Sequence, residues 1–468
     1  MKHPPMKVKD YHPIPHLTLD DLKSGELRKL KQFAVDADDY GRLRATKMVG
    51  ITQLETVNGD NVILQIEPRF PAIDPFRLLE ELTRDEDFLE YAEHGSEPLY
   101  HIFDDEPFVE APGGGGGEAL TALSFVMRLY QLCRRQLKPQ MTQWEQNLNG
   151  RVKGKIAFKS HLQNNVLRGR EHQVYCRYNL HTTDNIENRI LKAALHKAKG
   201  ILDRFYRHDR RGNGELASRI AYCQYALRDV SETAVSLRDF AAVRTTGYYA
   251  YYKPVISMAK LLFQNTYAGV SEEESGARVG VLPFSINMQK LFEVYVYSKL
   301  KEISRHGVGD PDIDGEYKIE LLNRFGQGYP LTQSGCRHPG DKPFIEIQGG
   351  RGLHLQGNVC PDFYVKITRK STKTEKTIVL DAKYKHAEKQ DRSDTLQIFA
   401  YAYIFQADAL GFVFPTEEES QDHIAGTICG RDARYLELFM KISANEDAAS
   451  GNRDVRSLVK YLIGKIFP

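Results

Sequence analysis

No two of the six cysteines in this 468-residue chain stand at a Cys-x-x-Cys spacing. That excludes a zinc ribbon or a thioredoxin-type redox pair. Cys133, Cys176, Cys223, Cys336, Cys360 and Cys429 are too sparse for a disulfide framework, so a reducing cytoplasm is the expected setting. The opening residues MKHPPMKVKD hold no apolar core, and no secretory signal is expected from them. The longest apolar-rich stretch, Leu396 to Phe414, is broken by Gln397, Gln406, Asp408 and Gly411. It reads as a buried helix and a strand rather than a membrane span. HExxH, a His-Cys cluster and GxxxxGK[ST] are all missing, so zinc-protease chemistry and nucleotide hydrolysis by this chain are not expected. There is no Gly-X-Y period and no internal repeat. Hydrophobic residues at 41% and charged residues at 27% argue against long disorder.

What is present is unevenly distributed. The net charge is only +2, yet Pro71 to Glu118 carries 14 Asp/Glu against two Arg. Arg151 to Arg211 carries 15 Lys/Arg against five Asp/Glu. Blocks of opposite sign suggest different partners for different regions. The basic block suits either a nucleic acid backbone or a solvated helical face. His161, His172 and His181 within it are read as solvated or near phosphate rather than as metal ligands.

Punctuation by glycine and proline divides the chain. The run Gly113 to Gly117 reads as a loop, because glycine loses the most backbone entropy on ordering. Before it, Met48–Val57 and Asn61–Glu67 flank Asn58-Gly59, a strong hairpin signal, and Leu78–Tyr91 reads as a short acidic helix. After it come helices over Glu118–Leu137, Asn185–Phe205 and Lys253–Gln264, with a β-flavoured patch at Gly150–Phe158. Ser271–Gly280 reads as a connector. The tyrosines Tyr248, Tyr249, Tyr251 and Tyr252 read as packing between helices. Helices Ile286–Ile303 and Thr395–Gln406 then alternate with strands Phe344–Ile347, Val359–Thr368, Thr377–Lys385 and Leu410–Phe414. The expected fold is multidomain α+β. A β-rich domain spans 1–112, a mainly helical basic region 118–275, and an α/β domain with a mixed central sheet 276–468.

The chemistry concentrates in the last of these. Pro361-Asp362 precedes Asp381-Ala382-Lys383, with a polar hairpin between. Antiparallel pairing of the two strands brings both carboxylates to one face. Adjacent carboxylates repel unless a cation lies between them, and a hard ion such as Mg²⁺ takes carboxylates, backbone oxygen and water. Lys383 shares that face, where an ammonium can stabilise charge growing on a phosphoryl oxygen. Gln397 and Tyr401 lie at i and i+4 on the following helix. Glu293 stands among apolar residues on the earlier helix. Alone it fits a surface position; near the other acids it is a third carboxylate.

This order of elements resembles the PD-(D/E)xK nuclease superfamily, and Gln-x-x-x-Tyr is similar to its RecB-type branch. GRVKGKIAFKSHL, YCRYNLHTTDNIENRILKAAL and YYKPVISMAKLLFQN extend the resemblance to the McrC family, the nuclease subunits of McrBC-type modification-dependent restriction systems. The run Met48–Phe70 is similar to that family's β-rich N-terminal region. The resemblance implies an endodeoxyribonuclease subunit, cytoplasmic and without a membrane partner. It would bind and stimulate a hexameric McrB-like AAA+ GTPase through its N-terminal domain and act on double-stranded, modified DNA of the 5-methylcytosine type. GTP would be used by the partner only. Carried over by residue, Asp362, Asp381 and the Ala382 carbonyl would hold Mg²⁺, for which Mn²⁺ could substitute. Lys383 would act on the water or the transition state, with Glu293, Gln397 and Tyr401 completing the motif. Arg305–Gln356 reads as an insertion. Two rival readings stand beside this one: a stand-alone RecB-like nuclease, and a non-enzymatic activator of the AAA+ partner.

Overall fold

In the computed structural model the described residues are 6–83, 85–93, 97–103, 109–112, 115–205, 214–268, 278–281, 283–330, 358–417, 423–428, 433–442 and 448–467. The expected strand Phe344–Ile347 and much of the 305–356 stretch lie outside them. The chain divides into two compact units. The first joins residues 1–109 to 282–468, and the second is 110–281. Sequence reading places three regions end to end and does not anticipate this pairing of the two ends.

In the first unit, the Asn58-Gly59 hairpin forms where expected. Met48–Glu55 pairs antiparallel with Asn61–Glu67, and Gly59 takes a positive φ of 84° in the turn. The hairpin is completed from the far end of the chain. Phe284–Asn287 pairs antiparallel with Met48–Ile51, placing Ser285 opposite Gly50. A Cβ on Gly50 would lie 2.0 Å from the Phe284 carbonyl oxygen, so this seam requires glycine. Tyr100–Ile102 and Met6–Lys9 close the edges of the five-stranded sheet. The helix expected from Ile286 therefore starts later, at Met288, with Asn287 as its N-cap accepting from the Lys290 amide.

The acidic helix expected over Leu78–Tyr91 is two helices, Pro75–Leu82 and Phe88–Glu93. Asp85 lies in the break, where its carboxylate accepts the Asp87 amide at 3.1 Å, a local bond that competes with helix. The same carboxylate takes the Lys301 ammonium at 2.7 Å and the Tyr91 hydroxyl at 3.1 Å. Lys301 also meets Asp87, and Lys299 meets Glu81. Part of the acidic block is thus neutralised within the unit by the helix Met288–His306.

The same unit holds a six-stranded mixed sheet. Its order is Tyr317–Leu321, Phe363–Arg369, Thr374–Ala382, Ala409–Thr416, Arg434–Lys441, Ile424–Thr427. Ala409–Thr416 is buried throughout and pairs in parallel on both sides. The helix Arg392–Ile404 lays Ile398 and Ala402 against Val379, Leu410 and Phe412. It is not wholly buried, as its apolar composition suggests: Leu396 is 59% and Tyr403 78% exposed.

The second unit combines helices with an unexpected sheet. Gly115–Arg135, Ile186–Phe205, Gly214–Ala226 and Lys253–Ala268 pack on one another. Gly115 to Gly117, read from sequence as loop, open the first of these helices; Gly113 and Gly114 lie outside the described residues. Gln140–Asn149 and Gln173–Thr182 form a ten-residue antiparallel ladder that the expected β-patch at 150–158 only touches. The stretch DNIENRI is architectural. Asn185 and Asn188 both donate to the Lys138 carbonyl, Asn188 accepts from the Tyr252 hydroxyl at 2.9 Å, and Arg189 clasps Asp184. Tyr252 is buried and Tyr248 is 79% exposed. Some of the basic block is paired as well, as in Arg177–Glu145 and Lys192–Glu232.

Candidate active site

Asp362 lies just before the strand Phe363–Arg369 rather than within the strand expected over Val359–Thr368. Its backbone is fixed by buried Asn323, whose side chain donates to the Pro361 and Asp362 carbonyls and accepts from the Tyr364 amide. The strand register places Phe363 opposite Leu380, which brings Asp362 beside Asp381. Asp362 Oδ2 accepts the Ala382 amide at 2.7 Å. The acids therefore meet across one antiparallel pair, as the alternation of side chains demands.

Lys383 holds the centre. Its ammonium is 2.8 Å from Asp381 Oδ2, 3.2 Å from Asp394 Oδ1 and 3.4 Å from Gln397 Oε1. Asp381 is 3% exposed, and its Oδ2 has this ion pair but no well-aligned hydrogen-bond donor. Gln397 donates to the Tyr401 hydroxyl at 2.8 Å, and Tyr401 donates to the Cys360 carbonyl at 3.2 Å. Gln397 and Tyr401, one position before Ile398 and Ala402 on the helix, thereby tie Lys383 to the turn carrying Asp362. Glu293, on the helix Met288–His306, lines the same cleft as Asp362, Asp381, Ala382, Lys383 and Gln397. The structure thus brings all of these expected residues together; Tyr401 joins them through its bond to Gln397.

The electrostatics follow from crowding three carboxylates into a sheltered site. Burial, then Asp381 and Glu293, push Asp362 well above the usual carboxylate range. Burial also raises Asp381, against the pull of Lys383. Burial and Asp381 push Glu293 up to about 7, opposed by Lys290 and Lys383. Burial opposes the charge on Lys383, but Asp381 and Asp394 outweigh it and hold the ammonium above its ordinary range. Raised acids beside a fixed ammonium form a site that gains from a further cation. Among the described residues no three His, Cys, Asp or Glu side chains are grouped closely enough to hold one metal ion. A cation here would draw on the Asp362–Asp381 pair, backbone oxygen and water, a donor set that suits Mg²⁺.

Glu293 offers a pH test. Its folded value lies above the unfolded value of 4.5, so its contribution to stability is intact below about 4.5 and is lost as pH rises through about 7. In EDTA, Glu293→Gln is expected to match the parent protein at pH 4. At pH 8 it should be the more stable by at most about 3 kcal/mol. Chemical denaturation at both pH values reads this out, and a stability difference that does not change with pH refutes it.

Several residues in the cleft or supporting it carry no sequence signal of their kind. Asn323 sits in the stretch read as an insertion. Asp394 is visible only as a capping residue, paired with Asp391 at the start of its helix. Lys9, Tyr11, His12, Arg44 and Arg69 come from the N-terminal β region and line the same cleft. No described helix is long and apolar enough to cross a membrane.

No curated protein matches the chain. Among solved structures, a half-complex from a tetradecameric assembly of Thermococcus gammatolerans McrB AAA+ hexamers with bound McrC is similar at 16% identity and a TM-score of 0.42. It covers 98% of this chain and 99% of that one. The Thermococcus gammatolerans McrBC complex solved by cryo-electron microscopy is similar at 15% identity and a TM-score of 0.30, over 63% of this chain and 87% of that one. A sequence model described as McrBC 5-methylcytosine restriction system component matches residues 117–321 and 345–415. Those two segments contain Glu293, Asp362, Asp381, Lys383, Gln397 and Tyr401. They make up more than half of the sequence, and on that match the chain belongs to the McrBC restriction system component family.

Proposed function

We propose that this chain is the nuclease subunit of its restriction system, an Mg²⁺-dependent endodeoxyribonuclease with a PD-(D/E)xK centre that cleaves modified DNA. The observation that carries the reading is the meeting of Asp362, Asp381 and Lys383 across one strand pair, with Glu293 and Gln397 lining the same cleft. Asp362, Asp381 and the Ala382 carbonyl would hold the ion. When bound, Mg²⁺ supplies a Lewis acid for the phosphoryl group. Lys383, positioned by Asp381, Asp394 and Gln397, presents a fixed ammonium to negative charge developing at phosphorus. Gln397 and Tyr401 keep that ammonium and the Asp362 turn in register.

The chain lacks a P-loop, so GTP hydrolysis falls to a hexameric McrB-like AAA+ partner, which this subunit would bind and stimulate. Sequence reading places the contact in residues 1–112. A truncation at Glu118 is a poor test, because it removes the strands on both sides of Phe284–Asn287. A second candidate surface lies around the three-stranded sheet of the second unit, where Met141, Trp144, Phe158, Leu162 and Leu167 are 49–78% exposed.

The deciding experiment incubates the purified chain with methylated and unmethylated DNA, with and without the AAA+ protein, GTP and Mg²⁺. Cleavage that requires all components and methylation supports the proposal. Cleavage by the chain alone makes it a stand-alone nuclease. Stimulated GTP hydrolysis without any cleavage makes it a non-enzymatic activator.

A further inference from the structure

The cleft of about 980 Å³ has a second wall that the nuclease motif does not account for. One side carries Glu293, Asp362, Asp381 and Lys383. The other is built from the N-terminal β region, which contributes Lys9, His12, Arg44 and Arg69. Lys9 ends the strand Met6–Lys9, and Arg44 lies in the strand Arg42–Ala45. Both are exposed.

This wall is a built feature. Arg69 has a side chain only 8% exposed, held by fully buried Asp10 at 3.3 Å. Its guanidinium lies 3.7 Å from the centre of the Tyr11 ring and 5.0 Å from that of Tyr384, the residue after Lys383. Tyr11 is held at a φ of +60°, which a bulky residue rarely adopts without a compensating contact. Its carbonyl accepts two bonds from Arg44, and its hydroxyl accepts one from Gln289, one turn before Glu293 on the same helix. Arg69 Nη2 is buried in this assembly with no hydrogen-bond partner.

We propose that the N-terminal strands form the phosphate-binding wall of the nuclease cleft. Lys9 and Arg44 take backbone phosphates of the DNA strand lying across the carboxylates, and Arg69 sets the positive field behind them. The chemistry is sequence-blind: two exposed cations beside an acidic, cation-binding centre fit a polyanion that passes from one to the other. Arginine and lysine supply the groups that phosphate oxygens accept best. The inference rests on the nuclease reading above and extends it to residues outside the family-matched segments.

The test uses the full chain and a short blunt DNA duplex, in Ca²⁺ to hold back cleavage. Affinity is measured against salt for the parent protein, for Lys9→Glu/Arg44→Glu, and for the charge-preserving Lys9→Arg/Arg44→Lys. Thermal melting confirms folding of each. Each lost phosphate contact flattens the log–log salt slope by about 0.9. The charge-reversal pair is expected to flatten it by about 2 and to weaken binding equally for all sequences, while the charge-preserving pair keeps the parent slope. An unchanged slope in a folded charge-reversal variant, with a parent protein that binds and cleaves, overturns the wall alone. Weakened assembly with the AAA+ partner at an unchanged DNA slope also overturns it and makes the surface a protein-docking face. A parent protein that neither binds nor cleaves DNA under the full conditions overturns the nuclease reading and the wall with it.

Discussion

Asp381→Ala is expected to lower DNA cleavage by about 10³-fold or more, the scale on which one member of a cooperating catalytic set is lost. The reason lies in the position of Asp381. It is nearly fully buried, faces Asp362 across the strand pair, and anchors Lys383. The metal-free fold should survive, because Lys383 retains Asp394 and the lost carboxylate stood in like-charge repulsion with its neighbours. Asp381→Asn keeps the shape and separates charge from packing. It should be as inactive as the alanine variant and at least as stable as the parent in EDTA. Cleavage assays and melting curves on both variants give the answer, and normal cleavage by either removes Asp381 from the mechanism.

Lys383→Ala should fail differently. Turnover is expected to fall about 10²–10³-fold, by analogy with removal of a donor that meets charge only in the transition state. Affinity for Mg²⁺ should be kept, because the ammonium is not a ligand and its loss leaves Asp381 without its nearest cation. Titration calorimetry with Mg²⁺ on the folded variant distinguishes the roles: retained binding with lost turnover fits, and collapsed binding places Lys383 in the ion site's architecture instead. Gln397→Ala offers a milder version, since Asp381 and Asp394 continue to hold the ammonium.

The centre was legible because its geometry is local. Asp362 and Asp381 are joined by one hairpin, Lys383 follows at a spacing of two, and Gln397 and Tyr401 share a helix face. Periodicity alone carries each of these relations. Glu293 was harder. Its helix reads equally well with that position at the surface, and only the packing of Met288–His306 beside the Asp381 strand turns it inward. The N-terminal wall was not legible at all. Lys9, Arg44 and Arg69 lie more than 200 residues before Glu293, and no pattern in one stretch reports that another pairs with it. The ladder of Gln140–Asn149 with Gln173–Thr182 was missed for a related reason. The first strand holds three Gln and two Asn and is largely exposed, so the alternation that marks a half-buried strand is faint.

The seam at Gly50 carries a consequence for how the protein is made. Met48–Ile51 emerges from the ribosome early, yet its partner Phe284–Asn287 is roughly 230 residues behind, which at about 5–20 residues per second takes about 10–50 s. Throughout that interval a strand of valine, isoleucine and leucine shows the nascent chain's surroundings an open edge, the kind that recruits other chains. The intervening 110–281 unit can fold on its own schedule while the flanking pieces wait. Biogenesis of this subunit is therefore set by a long-range closure, and chaperone dependence or low yield at high expression rates should track the arrival of residue 287 rather than the folding of the central unit.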